Sequence, residues 1–269
     1  MGNSILKYPG SKWRIAKQIV ELIPQHRSYL EPFFGSGAVL FTKTLSPIET
    51  INDIDGDVVN LFRCVREHPA ELARAVKLTP YAREAYEGSC RAADESDPIE
   101  KATNFLIHCW QGYGYRTNGQ KVGWKNDVQG REKAYALLEW CVLPERIVDT
   151  VDRLKHVQIE NRPALDVIRR FNYENVFMYL DPPYVINSRV GRQEQYKNEM
   201  TDQDHEELLK ELLSSRAKIM ISGYESDMYN DYLQGWEKRT FLSHTQMGKR
   251  RQEVVWMNYE TDKQMKLEL

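Results

Sequence analysis

Asp181-Pro182-Pro183-Tyr184 gathers an unusual amount of chemistry into four residues. Its two prolines lack N–H groups and can continue neither a sheet ladder nor a helix interior. What remains is a stiff loop presenting one carboxylate, two bare carbonyls and one aromatic ring. Those groups suit a planar base carrying an exocyclic amine. Asp181 and a proline carbonyl can accept its two N–H bonds, and Tyr184 can stack on its face. The element that must hold them is Val176-Phe177-Met178-Tyr179-Leu180, a dense apolar run that reads as a buried parallel strand. The tetrad then stands at the carboxyl end of that strand, where open α/β sheets place their ligands.

A second constellation is Glu31-Pro32-Phe33-Phe34-Gly35-Ser36-Gly37-Ala38-Val39. Ser28-Tyr29-Leu30 before it reads as a short strand, and Ala38 to Thr44 as the start of a helix. Glycines between strand and helix let a ligand approach the backbone closely. The pattern is neither GxGxxG nor a P-loop, since no Gly-Lys-Ser/Thr follows. Ile51-Asn52-Asp53 ends a second candidate strand about 20 residues on, the distance at which dinucleotide folds place an acid on a ribose hydroxyl pair. Asp53 can do this for any nucleoside-bearing cofactor; its bland alternative is to cap the helix from Gly56, for which Asp55 is better placed. A third motif, Lys7-Tyr8-Pro9-Gly10-Ser11-Lys12, joins a Pro-Gly turn to a helix read over 11–23, with Ser11 as its cap and Lys12 as a nearby cation.

The 269 residues are 41% hydrophobic and 28% charged, the composition of a soluble globular chain. No apolar run approaches the length of a membrane span, and the first residues show no signal core, so a cytoplasmic protein is expected. Cys64, Cys90, Cys109 and Cys141 form no CxxC pair and read as reduced thiols; the six histidines show no metal-ligand spacing. A net charge of −2 means that any nucleic-acid surface must be a local patch. Residues 61–150, rich in helix formers and charge, interrupt α/β stretches at 1–60 and 151–269, with further helix read over 202–213 and strands at 218–222 and 253–259.

Together the motifs resemble the Dam-like (D12 class, α-group) DNA adenine-N6 methyltransferases. Lys-Tyr-Pro-Gly-Ser-Lys at 7–12 is similar to the family's N-terminal cofactor motif, and Glu-Pro-Phe-Phe-Gly-Ser-Gly-Ala-Val at 31–39 to its glycine motif. Asn-Asp-Ile at 52–54 matches its ribose-binding position and Asp-Pro-Pro-Tyr at 181–184 its catalytic motif. The order of motifs agrees too, as do Asp204-His205 and the segment 253–259. The resemblance implies a Rossmann-like, S-adenosylmethionine-dependent α/β fold. Its mostly parallel sheet would end in an antiparallel strand, with a mostly helical target-recognition insertion at 61–150. It implies that Tyr8, Pro9, Gly10, Lys12, Glu31, Pro32, Phe33, Gly35, Ser36, Gly37, Asp53 and Asp181 face the cofactor. Two departures stand out. Tyr8-Pro9-Gly10-Ser11-Lys12 replaces the usual Trp-Ala-Gly-Gly-Lys. Glu160-Asn161-Arg162-Pro163-Ala164 replaces the usual Asp-Phe, leaving the guanidinium of Arg162 or the ring of Pro163 to contact the cofactor's adenine.

The implied chemistry is methyl transfer to the N6 amine of an adenine flipped out of double-stranded DNA. Positioning and electrostatics would carry it, with Asp181, Pro182, Pro183 and Tyr184 as the catalytic group and no metal. Cytosine N4 or RNA as target, or a DNA-binding relative without catalysis, are the alternatives. The stretch 110–126 is rich in side chains that read or clamp bases, and Asn118-Gly119 is a hairpin signal. Candidate DNA contacts are Lys7, Tyr113, Arg116, Asn118, Trp124, Arg189, Lys249 and Arg250. A monomer is expected. A restriction–modification, solitary or phage setting is equally compatible with the sequence.

Overall fold

A computed structural model of the chain describes residues 4–90, 97–115, 117–118, 122–126, 128, 135–189, 194–244 and 250–261. Seven strands form one sheet: β1 (Ser28–Glu31), β2 (Ile48–Asn52), β3 (Val157–Glu160), β4 (Val176–Leu180), β5 (Lys218–Gly223), β6 (Glu237–His244) and β7 (Arg250–Met257). Their spatial order is β3-β2-β1-β4-β5-β7-β6. The neighbours from β3 to β5 are parallel, while β7 runs antiparallel to both β5 and β6. This is the α/β sheet with a late antiparallel strand that was expected. All five residues of β4 are buried, as a central parallel strand requires.

The order in which successive strands are added reverses between β1 and β4, although the two are parallel. β2 and β3 lie outward on one side of that pair, and β5, β7 and β6 on the other. A crevice therefore opens beyond the carboxyl ends of β1 and β4, the switch point at which such folds bind ligands. Glu31 ends β1 and Asp181 follows β4, so both carboxylates border that crevice.

The helices are α1 (Ala16–Val20), α2 (Gly56–Glu67), α3 (Pro69–Leu78), α4 (Arg83–Ser89), α5 (Pro98–Gln111), α6 (Tyr135–Leu154), α7 (Ala164–Arg170), α8 (Asp202–Leu213) and α9 (Asp227–Tyr232). Several start for a legible reason. Asp55 accepts from Asp57 N–H ahead of α2, and Asp97 caps α5 ahead of a proline at its first position. A capping box of Thr201 and Asp204 opens α8. On α6, Trp140, Leu143, Ile147, Thr150 and Leu154 form a buried stripe at helical spacing. Its Arg153 donates from Nη2 to Glu49 Oε1 in β2 at 2.9 Å and to the Leu40 carbonyl at 3.0 Å. Leu72, Leu106, Trp110 and Leu143 share one apolar cluster with Tyr29, Ile51 and Phe177 of the sheet. The limits expected for the insertion, at 60 and 150, fall within α2 and α6.

Several local expectations are corrected. The helix expected over 11–23 is reduced to α1 with turns on both sides. Ser11 does not cap it; its hydroxyl lies 2.8 Å from that of Ser36 and ties the first motif to the glycine turn. No regular helix follows Gly37. The segment is a series of turns closed by Phe41 N–H to Gly37 O and Lys43 N–H to Val39 O. Pro144 sits inside α6, and α4, α7, α9 and β6 had no sequence signal strong enough to announce them. The tail 263–269 lies outside the described residues.

Candidate active site

Three loops converge on the crevice: 7–12, 31–39 and the tetrad after β4. They enclose a cavity of about 310 Å³, at the lower end of the ~300–1,000 Å³ usual for small-molecule clefts. Of the residues expected to face a cofactor, Tyr8, Pro9, Gly10, Lys12, Glu31, Pro32, Phe33, Gly35, Ser36, Asp53, Pro163 and Asp181 line it. Gly37 does not, but its backbone has φ +67°, and a Cβ there would lie 2.4 Å from the Phe34 ring. Only glycine fits that corner.

Lys12 is the electrostatic centre. It is 4% exposed, and its ammonium lies 2.9 Å from Asp181 Oδ2 and 3.9 Å from Glu253 Oε2. It also donates to the Gly10 carbonyl at 2.5 Å. Burial works against its charge, yet Asp181 and Glu253 outweigh burial and hold its pKa above the ordinary lysine value. The other oxygen of Asp181 accepts from Ser222 Oγ at 2.7 Å. Both carboxylate oxygens of Asp181 are thus held by protein partners.

The remaining acids behave differently. Glu31 is buried, and burial pushes its pKa up to about 8, opposed in part by the Tyr29 hydroxyl that donates to it at 2.8 Å. At neutral pH it carries a proton. Asp53 accepts from Gly35 N–H at 2.8 Å and from Asp55 N–H at 2.9 Å. Burial outweighs these bonds and pushes its pKa up to about 6. The carboxylate expected on a ribose therefore also braces the glycine turn. Asn52 was missed. Its Nδ2 donates to the Pro32 and Arg162 carbonyls, both at 3.0 Å, and its Oδ1 accepts from Arg162 N–H at 2.9 Å.

The structure separates the paired alternative at 162–163. Pro163 lines the cavity with Ala164 and Leu165, whereas the Arg162 guanidinium stands on the surface 3.4 Å from Glu160. The tetrad divides in the same way. Asp181 and Pro183 face the cavity; Pro182 and Tyr184 are buried behind it. Tyr184 donates to Glu253 Oε2 at 2.6 Å, carries the Lys12 ammonium 4.7 Å from its ring centroid, and meets Tyr224 edge-on at 4.5 Å. Burial and the neighbouring Asp181 and Glu253 keep its phenol protonated.

The segment 194–200 supplies a wall that sequence reasoning did not assign: Tyr196, Asn198, Glu199 and Met200. Glu199 is its hub. It accepts from both arms of Arg189 at 2.7 and 2.6 Å, from Gln195 N–H at 2.6 Å and from Tyr196 N–H at 3.0 Å. Arg189 is 7% exposed, so its guanidinium is given to Glu199 rather than presented at the surface as expected. Lys197 donates to Asp57 at 2.7 Å and pins the same segment to the start of α2.

Residues 111–113 and 123–125 form a narrow antiparallel base. Gly112 bridges Trp124, Tyr113 N–H donates to Gly123 O, and Lys125 N–H to Gln111 O. Tyr113 is half exposed, and Trp124 packs 5.6 Å from Tyr81 under the Arg83 guanidinium. Asn118 donates to the Glu194 carbonyl at 3.0 Å, and Thr117 N–H to that of Gln195 at 2.9 Å, so this stretch touches the wall of the cavity. Lys7 is ion-paired with Glu139 and sits 4.2 Å above the Trp110 ring. Arg116 and Lys249 lie outside the described residues, as does the Arg250 side chain, although Arg250 opens β7 opposite His244.

With this geometry in view, the profile of the D12 class N6 adenine-specific DNA methyltransferases matches residues 8–247. The chain belongs to that family. Curated relatives agree with the assignment. "Type II methyltransferase M.MjaIII" of Methanocaldococcus jannaschii is 24% identical, over 94% of this chain and 98% of its own length. "Type II methyltransferase M1.LlaDCHI" of Lactococcus lactis subsp. cremoris is 24% identical, over 84% of each. The "DNA N-6-adenine-methyltransferase" of Escherichia phage P1 is 28% identical over 40% of this chain and 15% of its own length. Among solved structures, the SAM-dependent methyltransferase from Agrobacterium tumefaciens is similar at 11% identity and a TM-score of 0.37, covering 91% of this chain and 59% of that one. The enzyme's methyl donor is S-adenosylmethionine and its substrate is DNA. Among the described residues, no group of three His, Cys, Asp or Glu side chains could hold a metal, and no helix is long and apolar enough to cross a membrane.

Proposed function

We propose that the cleft between β1 and β4 is where this methyltransferase brings S-adenosylmethionine and a flipped adenine together, with Asp181 holding the target amine. The observation that carries this reading is the placement of Asp181. It lies at the switch point, beside the glycine turn, with its carboxylate oriented by Lys12 and Ser222. The cavity fits the cofactor in chemistry as well as place. An acid, Asp53, stands near an apolar slot of Ile54, Pro163, Ala164 and Leu165; Glu31, Lys12 and Asp181 provide the polar end. Bound there, S-adenosylmethionine supplies a methyl group on a positively charged sulfur.

The protein's own contribution is positioning. Adenine N6 is a poor nucleophile because its lone pair is delocalised into the ring. Two acceptors, the Asp181 carboxylate and the Pro182 carbonyl, hold its N–H bonds and favour a pyramidal nitrogen whose lone pair faces the methyl. The nitrogen would gain the methyl as the sulfur–methyl bond breaks with its electron pair left on sulfur, and would give up one proton, for which Asp181 is the adjacent base. A base stacked on Tyr184 takes the place now held by Tyr224 or shares the face under Lys12.

Residues 61–150 are read as the target-recognition part, with Tyr113, Asn118, Trp124 and Arg116 reaching DNA from the 110–126 stretch. Lys7, Lys249 and Arg250 are further candidate contacts, and Arg189 orders the 194–200 segment instead. The enzyme is read as a monomer working in the cytoplasm, and a role as the modifying partner in a restriction–modification pair fits the type II names of the two relatives matched over most of the chain. The test is transfer of labelled methyl from S-adenosylmethionine to duplex DNA. Asp181→Ala is expected to abolish transfer while leaving cofactor affinity within about threefold; retained turnover overturns the role given to Asp181.

A further inference from the structure

Tyr184 and Lys12 flank Asp181, and both are held by one residue outside the tetrad. Glu253 lies in β7, ahead of Val254, Val255, Trp256 and Met257, all of them at most 1% exposed. A carboxylate set into so apolar a strand is costly unless its oxygens are satisfied. Its Oε2 accepts the Tyr184 hydroxyl at 2.6 Å and stands 3.9 Å from the Lys12 ammonium. The antiparallel register explains how it gets there. Gly223, the last residue of β5, pairs with Val254, which puts Glu253 beside the loop that begins with Tyr224.

We propose that Glu253 is a positioning residue for methyl transfer: it fixes the Tyr184 ring through its hydroxyl and offers Lys12 a second carboxylate. The inference rests on the reading of Asp181 and Tyr184 given above. Pinned at its hydroxyl, Tyr184 cannot swing when a base arrives. The half-buried Tyr224, at the mouth of a loop, is the ring that yields. Lys12 now uses Asp181 Oδ2 as its nearer partner. When the target amine claims that oxygen, the ammonium still has Glu253 within reach and stays neutralised without leaving the site. One lysine between two carboxylates also leaves a net negative charge facing the nitrogen on which positive charge develops.

Three substitutions separate the two roles. Glu253→Gln keeps an acceptor for the phenol but removes the charge offered to Lys12. Glu253→Ala removes both, and Tyr184→Phe removes the phenol donor alone. The assay is steady-state transfer of tritiated methyl to duplex DNA from an unmethylated source, with calorimetric S-adenosylmethionine affinity alongside. Glu253→Gln is expected to lower kcat about tenfold, with cofactor affinity and KM for the cofactor within about twofold. Glu253→Ala is expected to lose about a further tenfold, and that extra loss should vanish when Tyr184 is already Phe. Glu253→Gln and Glu253→Ala variants that turn over like the wild type, beside an inactive Asp181→Ala, overturn the inference alone. An extra loss that persists in the Tyr184→Phe background overturns the route through the hydroxyl. Cofactor affinity falling in step with kcat would make Glu253 a structural residue only. An active Asp181→Ala would instead overturn the site reading beneath it.

Discussion

Gly10→Ala tests the cavity at its tightest corner. Gly10 has φ +69°, and a Cβ built on it lies 2.3 Å from the Tyr196 hydroxyl oxygen but 3.6 Å from the ring carbon that bears it. Holding alanine in the left-handed region costs ~1–2 kcal/mol. Restoring an ordinary contact means moving the hydroxyl by about 1 Å, at ~0.5–1.5 kcal/mol of side-chain strain. The sum, ~2–3 kcal/mol, should lower Tm by ~4–5 °C, taking ~2.1 cal/mol/K of unfolding entropy per residue over the chain. Because Gly10 and Tyr196 both line the cavity, S-adenosylmethionine affinity measured by calorimetry should fall by about tenfold or more. The second variant is decisive. In Gly10→Ala/Tyr196→Phe the offending oxygen is gone and the ring carbon at 3.6 Å is an ordinary neighbour. Affinity should return to within about threefold of wild type, while ~2–3 °C of the Tm loss, the backbone part, remains. If the double variant binds no better than Gly10→Ala, the hydroxyl is not what closes this corner and the reasoning fails.

Two further outcomes follow from the buried polar groups. Glu31 titrates at about 8 in the folded protein against an ordinary 4.5, so between those values the native state holds a proton that the unfolded chain has released. The contribution of Glu31 is therefore full below about pH 4.5 and is lost as pH rises to about 8, by at most ~5 kcal/mol. Glu31→Gln should flatten Tm against pH across that window, leaving the smaller slope of Asp53 between its ordinary 3.8 and about 6; an unchanged profile refutes the assignment. Asn52→Leu strands the Pro32 carbonyl and both backbone groups of Arg162. At ~1 kcal/mol or more for each, the loss should reach ~3 kcal/mol, read as a Tm drop of about 5 °C; a drop under about 1 °C would show that these loops do not depend on Asn52.

The parts of the site that could be read from sequence are those where one short segment contains both its element and its chemistry. Val176–Leu180 announces a buried strand and is followed at once by two prolines, so the place of Asp181 follows without knowledge of any partner strand. Glu31 and Asp53 are legible in the same way, each within a residue of a strand end. Short turns are less legible. A run such as Ala38–Thr44 has helical composition, yet Gly37 and Phe34 commit the chain to a corner first, and only turns follow.

What stayed hidden depends on pairings between distant segments. Arg189 and Lys197 read as cations of a polar loop offered to DNA and Glu199 carries no signal of its own, because nothing local distinguishes a free guanidinium from one bound bidentately ten residues on. Yet that pair decides whether Arg189 faces DNA or holds Tyr196 against Gly10. Glu253 is a sharper case. As the first residue of an apolar strand it looks like a solvent-facing start, and only the antiparallel register of β5 and β7 carries it to Tyr184. A β7 parallel to β5 would run its carboxyl end, not its amino end, toward the crevice. Met257 and Asn258, not Glu253, would then approach the tetrad, and Lys12 would keep Asp181 but have no second carboxylate beside it. The reversed strand β7 is therefore what delivers a second acid to the lysine: the resemblance placed a strand at 253–259, but the contact of Glu253 with Tyr184 and Lys12 follows only from its register against β5.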